Sequence, residues 1–526
     1  MYKVLVTDPL SDHGLRQLTD ARDVEVVKKI GLTESALIDT IPPYDALLVR
    51  SQTQVNERVL DAAKQLKVIG RAGVGVDNID VPAATERGIV VLNAPDGNTV
   101  STAEHTFAML MALSRNIPQA YRSLVSGEWN RKKFVGVELR GKTLGVVGMG
   151  RIGTEVAKRA KAFGMSVLGY DPFLTGERAK SIGVEKVDLS RLFAESDFIT
   201  VHTPLIKETH HLIDSDAFAA MKDGVRILNC ARGGIVDEEA LLAALESGKV
   251  AGAALDVFED EPPTDHPLLK HPRVIATPHL GASTVEAQEH VALDVSEEVL
   301  HVLRGETFKN AVNLPSIPAE LAERIAPYQA LAEKLGKFVV QMTEHAVEKI
   351  TVSYAGSLNE FDTSPLTRMI LKGALSCFVT DVNYVNAVAL AKARGIDVTE
   401  ERSSASRAFT NLITVHMETA GEELSVAGTL VNGFGERIVK INAYSIDLQP
   451  QGHLLYIQHQ DRPGAIGRVG TILGSHDVNI AAMQVGRRDI GGQAIMVLSV
   501  DKPVTADVVT ALEALEEVRS VTEIDL

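Results

Sequence analysis

Short apolar runs alternate with amphipathic stretches from the first residues onward. Val4-Leu5-Val6 precedes a helical pattern over 11–21, the apolar run 46–49 precedes one over 56–66, and Val68-Ile69-Gly70 leads into a glycine-rich turn. The run 89–92 closes this series, and a longer helical pattern over 101–115 follows Asn98-Thr99, which reads as its cap. Strand-length runs separated by helices predict a parallel α/β sheet. A second series opens at 143–148 and continues through 166–170, 198–202, 226–229, 252–256 and 274–277. It has its own start and its own glycine turn, so it predicts a second doubly wound domain inserted after the first. The helical pattern over 284–303 then returns the chain to the first domain. That crossing leaves a cleft with hinges near Pro95 and Gly281.

Beyond the two-proline segment Asn313-Leu314-Pro315-Ser316-Ile317-Pro318, the pattern changes. Residues 319–452 read as mixed α/β without a catalytic motif, and 447–452 as a further connection. The last stretch reads strand 454–459, helix 464–474, strand 478–485, strand 494–500, helix 506–515 and strand 520–524, the βαββαβ order of a ferredoxin-like unit. Four domains are predicted: 1–97 completed by 284–312, 98–283, 313–452 and 453–526. The fold class is α/β, with a flavodoxin-like and a Rossmann domain followed by two α+β domains.

Composition narrows the function. The 526 residues carry 53 Lys plus Arg against 69 Asp plus Glu, a net charge of −16 that repels a nucleic-acid backbone. No apolar run approaches the roughly 18 residues of a membrane span. The start reads as a strand and lacks the pattern of a signal peptide. Two cysteines, Cys230 and Cys377, form no disulfide framework or zinc site by themselves, and a cytoplasmic location is expected.

The nucleotide signal is Gly148-Met149-Gly150-Arg151-Ile152-Gly153, placed directly after a strand and opening a helix. The first glycine permits the tight turn, the second lets backbone approach a pyrophosphate, and the third lets helix and strand pack closely. Asp171 ends the next strand. A carboxylate there accepts hydrogen bonds from both ribose hydroxyls and repels a 2′-phosphate, which argues for NAD over NADP.

Three further segments follow strands of the same sheet, at the edge where such folds bind ligands. They carry Arg232 after Cys230-Ala231, Glu261 after Asp256, and His279 before Leu280-Gly281. Hydride removal from a secondary alcohol needs a base for the hydroxyl proton, a carboxylate to orient it, and a cation for the substrate's carboxylate and developing carbonyl. Histidine suits the base because an unperturbed imidazole titrates near neutrality. Singly, each residue also reads as ordinary surface chemistry. Cys230 lacks a base partner and reads as a small buried hydrophobe, and His210-His211 has no neighbouring acid or cysteine to make a metal site.

As a set these segments resemble the D-isomer-specific 2-hydroxyacid dehydrogenases, in the long form that carries extra C-terminal domains. The carrying motifs are Gly70-Arg71-Ala72-Gly73-Val74-Gly75-Val76-Asp77-Asn78-Ile79-Asp80, the glycine turn, Asn229 to Asp237, Leu255 to Pro262, and Pro278 to Ser283. The resemblance implies Arg232 as substrate-orienting arginine, Glu261 as the partner of the base, and His279 as proton donor and acceptor. It implies NAD contacts at Arg151, Ile152, Asp171, Thr203, Cys230, Ala231, Asp256, Leu280, Gly281 and Ala282. For the substrate it implies Arg50, Ser51, Gly73, Val74 and Asn98. Trp129, Lys132 and Lys133 lie in a loop that reaches a neighbouring subunit's site in related enzymes, and the two lysines are expected to add positive potential for a phosphate.

The implied activity is oxidation of D-3-phosphoglycerate to 3-phosphohydroxypyruvate, the first step toward L-serine, by a homo-oligomer expected to be a tetramer. Residues 453–526 resemble an ACT domain, which implies L-serine as a feedback inhibitor held by His459, Asp461 and Asn479. Arg437 and Lys440 mark either an anion site or solvated charge. Two other functions stay open at this level: reduction of another 2-keto acid, such as 2-oxoglutarate or hydroxypyruvate, and an NAD-sensing regulatory protein on the same fold.

Overall fold

The computed structural model describes residues 1–315, 317–403 and 409–526, so Ser316 of the two-proline segment lies outside the described residues. The first sheet contains β1 (Tyr2–Val6), β2 (Val24–Lys28), β3 (Ala46–Val49), β4 (Val68–Arg71) and β5 (Val90–Asn93) in the order β2-β1-β3-β4-β5. All its pairs are parallel. Such a sheet is covered on both faces, which is why Ala46-Leu47-Leu48-Val49 is apolar throughout and fully buried. The return helix Val285–Arg304 covers one face, packing Val291, Val295 and Val299 against Val4, Leu48 and Leu92.

The second sheet contains β6 (Thr143–Val147), β7 (Ser166–Tyr170), β8 (Glu185–Lys186), β9 (Phe198–Val201), β10 (Val225–Asn229), β11 (Val250–Leu255) and β12 (Val274–Ala276). Its order is β12-β11-β10-β9-β6-β7-β8, reversing direction at β6 beside β9. That topological switch is where a doubly wound sheet opens a crevice for a ligand. The hinge helix Thr99–Ser114 joins the two sheets and buries Ala103, Phe107 and Leu110 in the second core.

The third sheet, β14-β13-β15-β16-β17-β18, is mixed. Its strands are β13 (Val347–Gly356), β14 (Asp397–Ser403), β15 (Asn411–Thr419), β16 (Glu423–Val431), β17 (Gly435–Ile441) and β18 (Tyr444–Leu448), with only β13 and β14 parallel. The last sheet is antiparallel, β20-β21-β19-β22, from β19 (His453–Gln460), β20 (Ile480–Arg487), β21 (Gln493–Val500) and β22 (Val518–Asp525). Two helices cover one of its faces. The other face sends Leu454, Tyr456, Ile495, Val497 and Ile524 into one core with Phe338, Leu335 and Leu448 of the third unit. No break in packing therefore accompanies the connection at 447–452.

Several local expectations are corrected. Only Arg16–Thr19 is helical within 11–21, the rest of that stretch being turns. The strand Val24–Lys28 and the helices Glu34–Thr40 and Val81–Glu86 were not visible in the pattern. Asn98 starts the hinge helix without a side-chain capping bond. Among the described residues, no helix is long and apolar enough to cross a membrane.

Candidate active site

The cleft is lined by turns that follow parallel strands, each pinned by a buried polar side chain. Asp8 is fully buried after β1, and its Oδ2 accepts the backbone N–H of Arg50 at 2.6 Å and those of Gln52 and Thr53 at 3.2 Å. Asn78 Nδ2 donates to the carbonyls of Arg50 and Thr53 at 2.8 and 2.7 Å from the opposite side. The Arg50-Ser51 turn is thus held open toward the cleft.

The Gly73-Val74-Gly75 turn lies beside it, tied down by Asn93 Nδ2 on the Val74 carbonyl at 2.6 Å. Arginine side chains pack directly on the glycines at both ends of this turn, and Gly73 has φ +155°. A Cβ on Gly73 would stand 1.7 Å from Arg71 Nη1, and one on Gly75 would stand 2.1 Å from Arg232 Nη2. Arg71 was not singled out from the sequence, although it sits in the quoted glycine motif. Burial pushes its guanidinium down to about 10, with Arg232 and Arg50 adding repulsion against the attraction of Asp77 and Asp8. Its Nε is buried without a partner. Three arginines gather around one turn, only Arg232 among them paired with a carboxylate of the described residues, Asp77, and the positive charge of the cluster favours an anion.

On the nucleotide side, Gly148 has φ +93°, and a Cβ there would lie 2.5 Å from the His202 carbonyl. Nothing stands within 4 Å of where a Cβ on Gly150 would be. Gly153 packs so closely that a Cβ would meet the Gly148 carbonyl at 2.0 Å. The helix Arg151–Ala162 begins at this turn and directs its N-terminal dipole there. Asp171 stands across it, accepting the N–H of Met149 at 2.9 Å and of Phe173 at 2.8 Å. Thr203 Oγ1 is buried without a partner beside the same turn. This empty-cornered cradle, bounded by one carboxylate, fits a dinucleotide. Arg151 reaches the hinge instead, pairing with Asp96 at 2.6 Å, while Ile152 packs against the core under the turn.

Arg232 leaves β10 through a turn stapled by Asn229, which donates to the Arg232 carbonyl at 2.9 Å and accepts the Ala231 N–H at 3.1 Å. Cys230 is buried there, and burial first, then the charge of Asp256, pushes its thiol up to about 12. It is no nucleophile at neutral pH. His279 has φ +53°, a left-handed conformation uncommon outside glycine. Its N–H donates to the Asp256 carbonyl at 2.9 Å, and its Nδ1 lies 2.9 Å from Glu261 Oε2. Burial opposes the charge of Glu261, but the hydrogen bond and charge of His279 and the Phe258 N–H outweigh it, holding the carboxyl below its usual range.

The Asp256 carboxylate anchors the strand end that bears His279. It accepts the N–H groups of Leu280 and Gly281 at 2.7 and 2.8 Å and the Thr277 hydroxyl at 2.6 Å. His105 Nε2 of the hinge helix lies 3.2 Å from it. His105 was missed because a lone histidine on an amphipathic helix carries no motif.

Other expected residues fall elsewhere in the chain. Trp129 is 80% exposed, and Lys132 and Lys133 lie on an exposed 3₁₀ turn, Arg131–Phe134. Among the described residues none of the three bonds to a residue of the cleft. His459 and Asp461 are separated from Asn479 by the length of the last sheet. His459 pairs with Ala494 at one end of β21, whereas Ile480, next to Asn479, pairs with Val500 at the other. His459 itself is 4% exposed.

Residues 107–281 match the D-isomer specific 2-hydroxyacid dehydrogenase NAD binding domain, 324–442 the D-3-phosphoglycerate dehydrogenase intervening domain, and 453–517 the ACT domain. The chain is 51% identical to D-3-phosphoglycerate dehydrogenase of Bacillus subtilis, covering 100% of both chains. The chain belongs to the D-3-phosphoglycerate dehydrogenase family. The enzyme of that name from Methanocaldococcus jannaschii is 47% identical, again over 100% of both. Among solved structures, the TT0316 protein of Thermus thermophilus is 39% identical, with TM-score 0.55 over 59% of this chain and 99% of that one. D-lactate dehydrogenase of Aquifex aeolicus, solved with NAD and lactic acid, is 31% identical, with TM-score 0.52 over 58% of this chain and 96% of that one. The chain is an NAD-dependent dehydrogenase with an ACT regulatory domain.

Proposed function

We propose that the chain oxidises D-3-phosphoglycerate at C2 to 3-phosphohydroxypyruvate, with catalytic roles for Arg232, Glu261 and His279. The His279–Glu261 pair at 2.9 Å carries this reading. With Nδ1–H donated to Glu261, Nε2 of His279 is the nitrogen that accepts the C2 hydroxyl proton. Glu261 orients the ring and stabilises the imidazolium that results. Arg232 draws the substrate carboxylate and the developing carbonyl oxygen into one plane. Arg50, Ser51, Arg71 and, in the turn that Gly73 opens, the N–H group of Val74 receive the anionic ends of the substrate, with Asn98, whose buried Oδ1 lacks a partner, at the hinge. NAD, when bound, supplies the acceptor for the hydride that leaves C2. Gly148, Gly150, Gly153, Thr203, Ala231 and Ala282 shape its cradle, and Asp171 takes the adenosine ribose.

The reaction opens L-serine synthesis, and L-serine is the proposed inhibitor at the ACT domain. His459 and Asp461 meet Asn479 only where the last sheets of two chains pair in opposite directions. The proposed homotetramer needs a second self-contact, for which the outer helix Ile117–Val125 offers exposed Ile117, Tyr121, Leu124 and Val125. Lys132 and Lys133 would then face the neighbouring copy's cleft. The two cysteines, neither of them in a disulfide, suit a cytoplasmic location.

Steady-state NADH formation from a panel of 2-hydroxy acids, with product removed and with or without L-serine, tests the reading. D-3-phosphoglycerate should give the highest kcat/KM, and serine should depress it. A higher kcat/KM for an unphosphorylated 2-hydroxy acid contradicts it.

A further inference from the structure

The hinge helix meets the segment that bears His279 at residues spaced along one face. Ser101 Oγ and Thr284 Oγ1 are 2.7 Å apart, Thr102 lies 3.3 Å from the Cβ position of Gly281, and His105 Nε2 lies 3.1 Å from Thr277 Oγ1 and 3.2 Å from Asp256 Oδ1. Positions 101 and 102 each lie about one helical turn before 105, at i,i+4 and i,i+3, which brings both beside it on one face. Asp256 is 1% exposed, so each of its oxygens must be satisfied within the protein. Thr277, Leu280 and Gly281 belong to the segment that Asp256 itself holds. Among the described residues bonded to this carboxylate, only His105 comes from another element.

We infer that His105 is a positioning residue for the reaction, fixing Asp256 and through it the backbone on both sides of His279. The inference rests on the proposed role of His279 as the proton acceptor. His279 occupies a left-handed backbone conformation, which persists only where the surroundings over-determine it. Asp256 supplies that restraint twice, through its carbonyl to the His279 N–H and through its carboxylate to the next two N–H groups. His105 transmits it to the hinge helix, so the element that joins the two domains also aligns the base. No contact of His105 with substrate is required.

The test compares wild type, His105→Leu and His105→Gln in the full chain. Leucine removes the hydrogen bond, whereas glutamine returns a neutral donor near the position of Nε2. For His105→Leu, kcat should fall by about 10–100-fold while the KM for D-3-phosphoglycerate and the fluorescence-measured Kd for NADH change less than about fivefold. His105→Gln should recover kcat to within about fivefold of wild type. Thermal midpoints should show both variants fully folded at the assay temperature, which separates alignment from folding. A leucine variant with more than half the wild-type kcat overturns the inference. So does a glutamine variant as impaired as leucine, or a loss that follows the fraction unfolded. Wild-type turnover on the same substrate reports separately on the proposed function: if it is absent, that reading fails, and if it is present and insensitive to His105, only this inference fails.

Discussion

Arg232 Nε and Asp77 Oδ2 stand 3.2 Å apart across the cleft, an ion pair between the nucleotide sheet and the substrate sheet. The guanidinium proposed to bind the substrate carboxylate is therefore already engaged by a carboxylate. Substrate thus competes with Asp77 for this guanidinium.

Removing this competitor should tighten substrate binding modestly, because Asp77 is well exposed and such pairs contribute at most about 1 kcal/mol. Asp77→Asn should lower the KM for D-3-phosphoglycerate by up to about fivefold without raising kcat. Arg232→Ala should lower kcat/KM by about a thousandfold. Initial-rate kinetics at fixed saturating NAD measure both. A raised KM in Asp77→Asn would show that Asp77 supports the site instead of competing for it.

Arg71 is buried beside two other arginines, so its charge is best satisfied by an incoming anion. Arg71→Gln should raise the KM for D-3-phosphoglycerate about tenfold or more and leave that for an unphosphorylated 2-hydroxy acid within about threefold. Equal losses on both substrates would assign Arg71 to the carboxylate end or to folding.

Asp256 sets a pH dependence. Burial works against its charge, but hydrogen bonds from His105, Thr277 and the Leu280 N–H prevail and hold its carboxyl below the usual range. A carboxylate depressed in the native state stabilises fully above its unfolded pKa of about 4, and this contribution is lost as pH falls through the lower native value. Asp256→Asn should therefore lower the thermal midpoint at pH 7 by about 4 °C or more. That gap should narrow steadily below about pH 4. Calorimetry from pH 3 to 7 measures it, and a gap independent of pH would mean that shape, not charge, carries the effect.

The shared core of the last two units predicts how the chain tolerates shortening. Ending it at residue 452 strips Leu454, Tyr456, Ile495, Val497 and Ile524 from the core that holds Phe338 and Leu335. Large apolar side chains of this kind contribute about 1.5–3 kcal/mol each when buried. The region 319–452 should then lose its cooperative melting transition and its protection against proteolysis. A stable, protease-resistant 319–452 region in the shortened protein would contradict the shared core.

The parallel sheets were legible because their buried strands are continuous apolar runs, and Gly148-Met149-Gly150 marked the crevice directly. Arg232, Glu261 and His279 were legible as strand ends, since the sheet's geometry gathers strand ends along one edge. Asp8 and His105 were not legible, because each acts through contacts with residues more than 40 positions away and neither belongs to a spacing pattern. The strand Val24–Lys28 was hidden by its half-exposed edge, where charged residues interrupt the apolar run. The grouping of His459, Asp461 and Asn479 is implied by the resemblance to an ACT domain and not by any spacing within the chain. Antiparallel pairing places His459 and Asn479 at opposite ends of the strands within one chain.

The most direct test of the account is hydride transfer itself, followed at 340 nm in wild type and His279→Ala with saturating NAD and D-3-phosphoglycerate and with product removed. Wild type should form NADH, and His279→Ala should lose about a thousandfold or more in kcat while binding NADH within about threefold of wild type. Turnover by His279→Ala near the wild-type rate would contradict the assignment of the proton acceptor and the mechanism built on it.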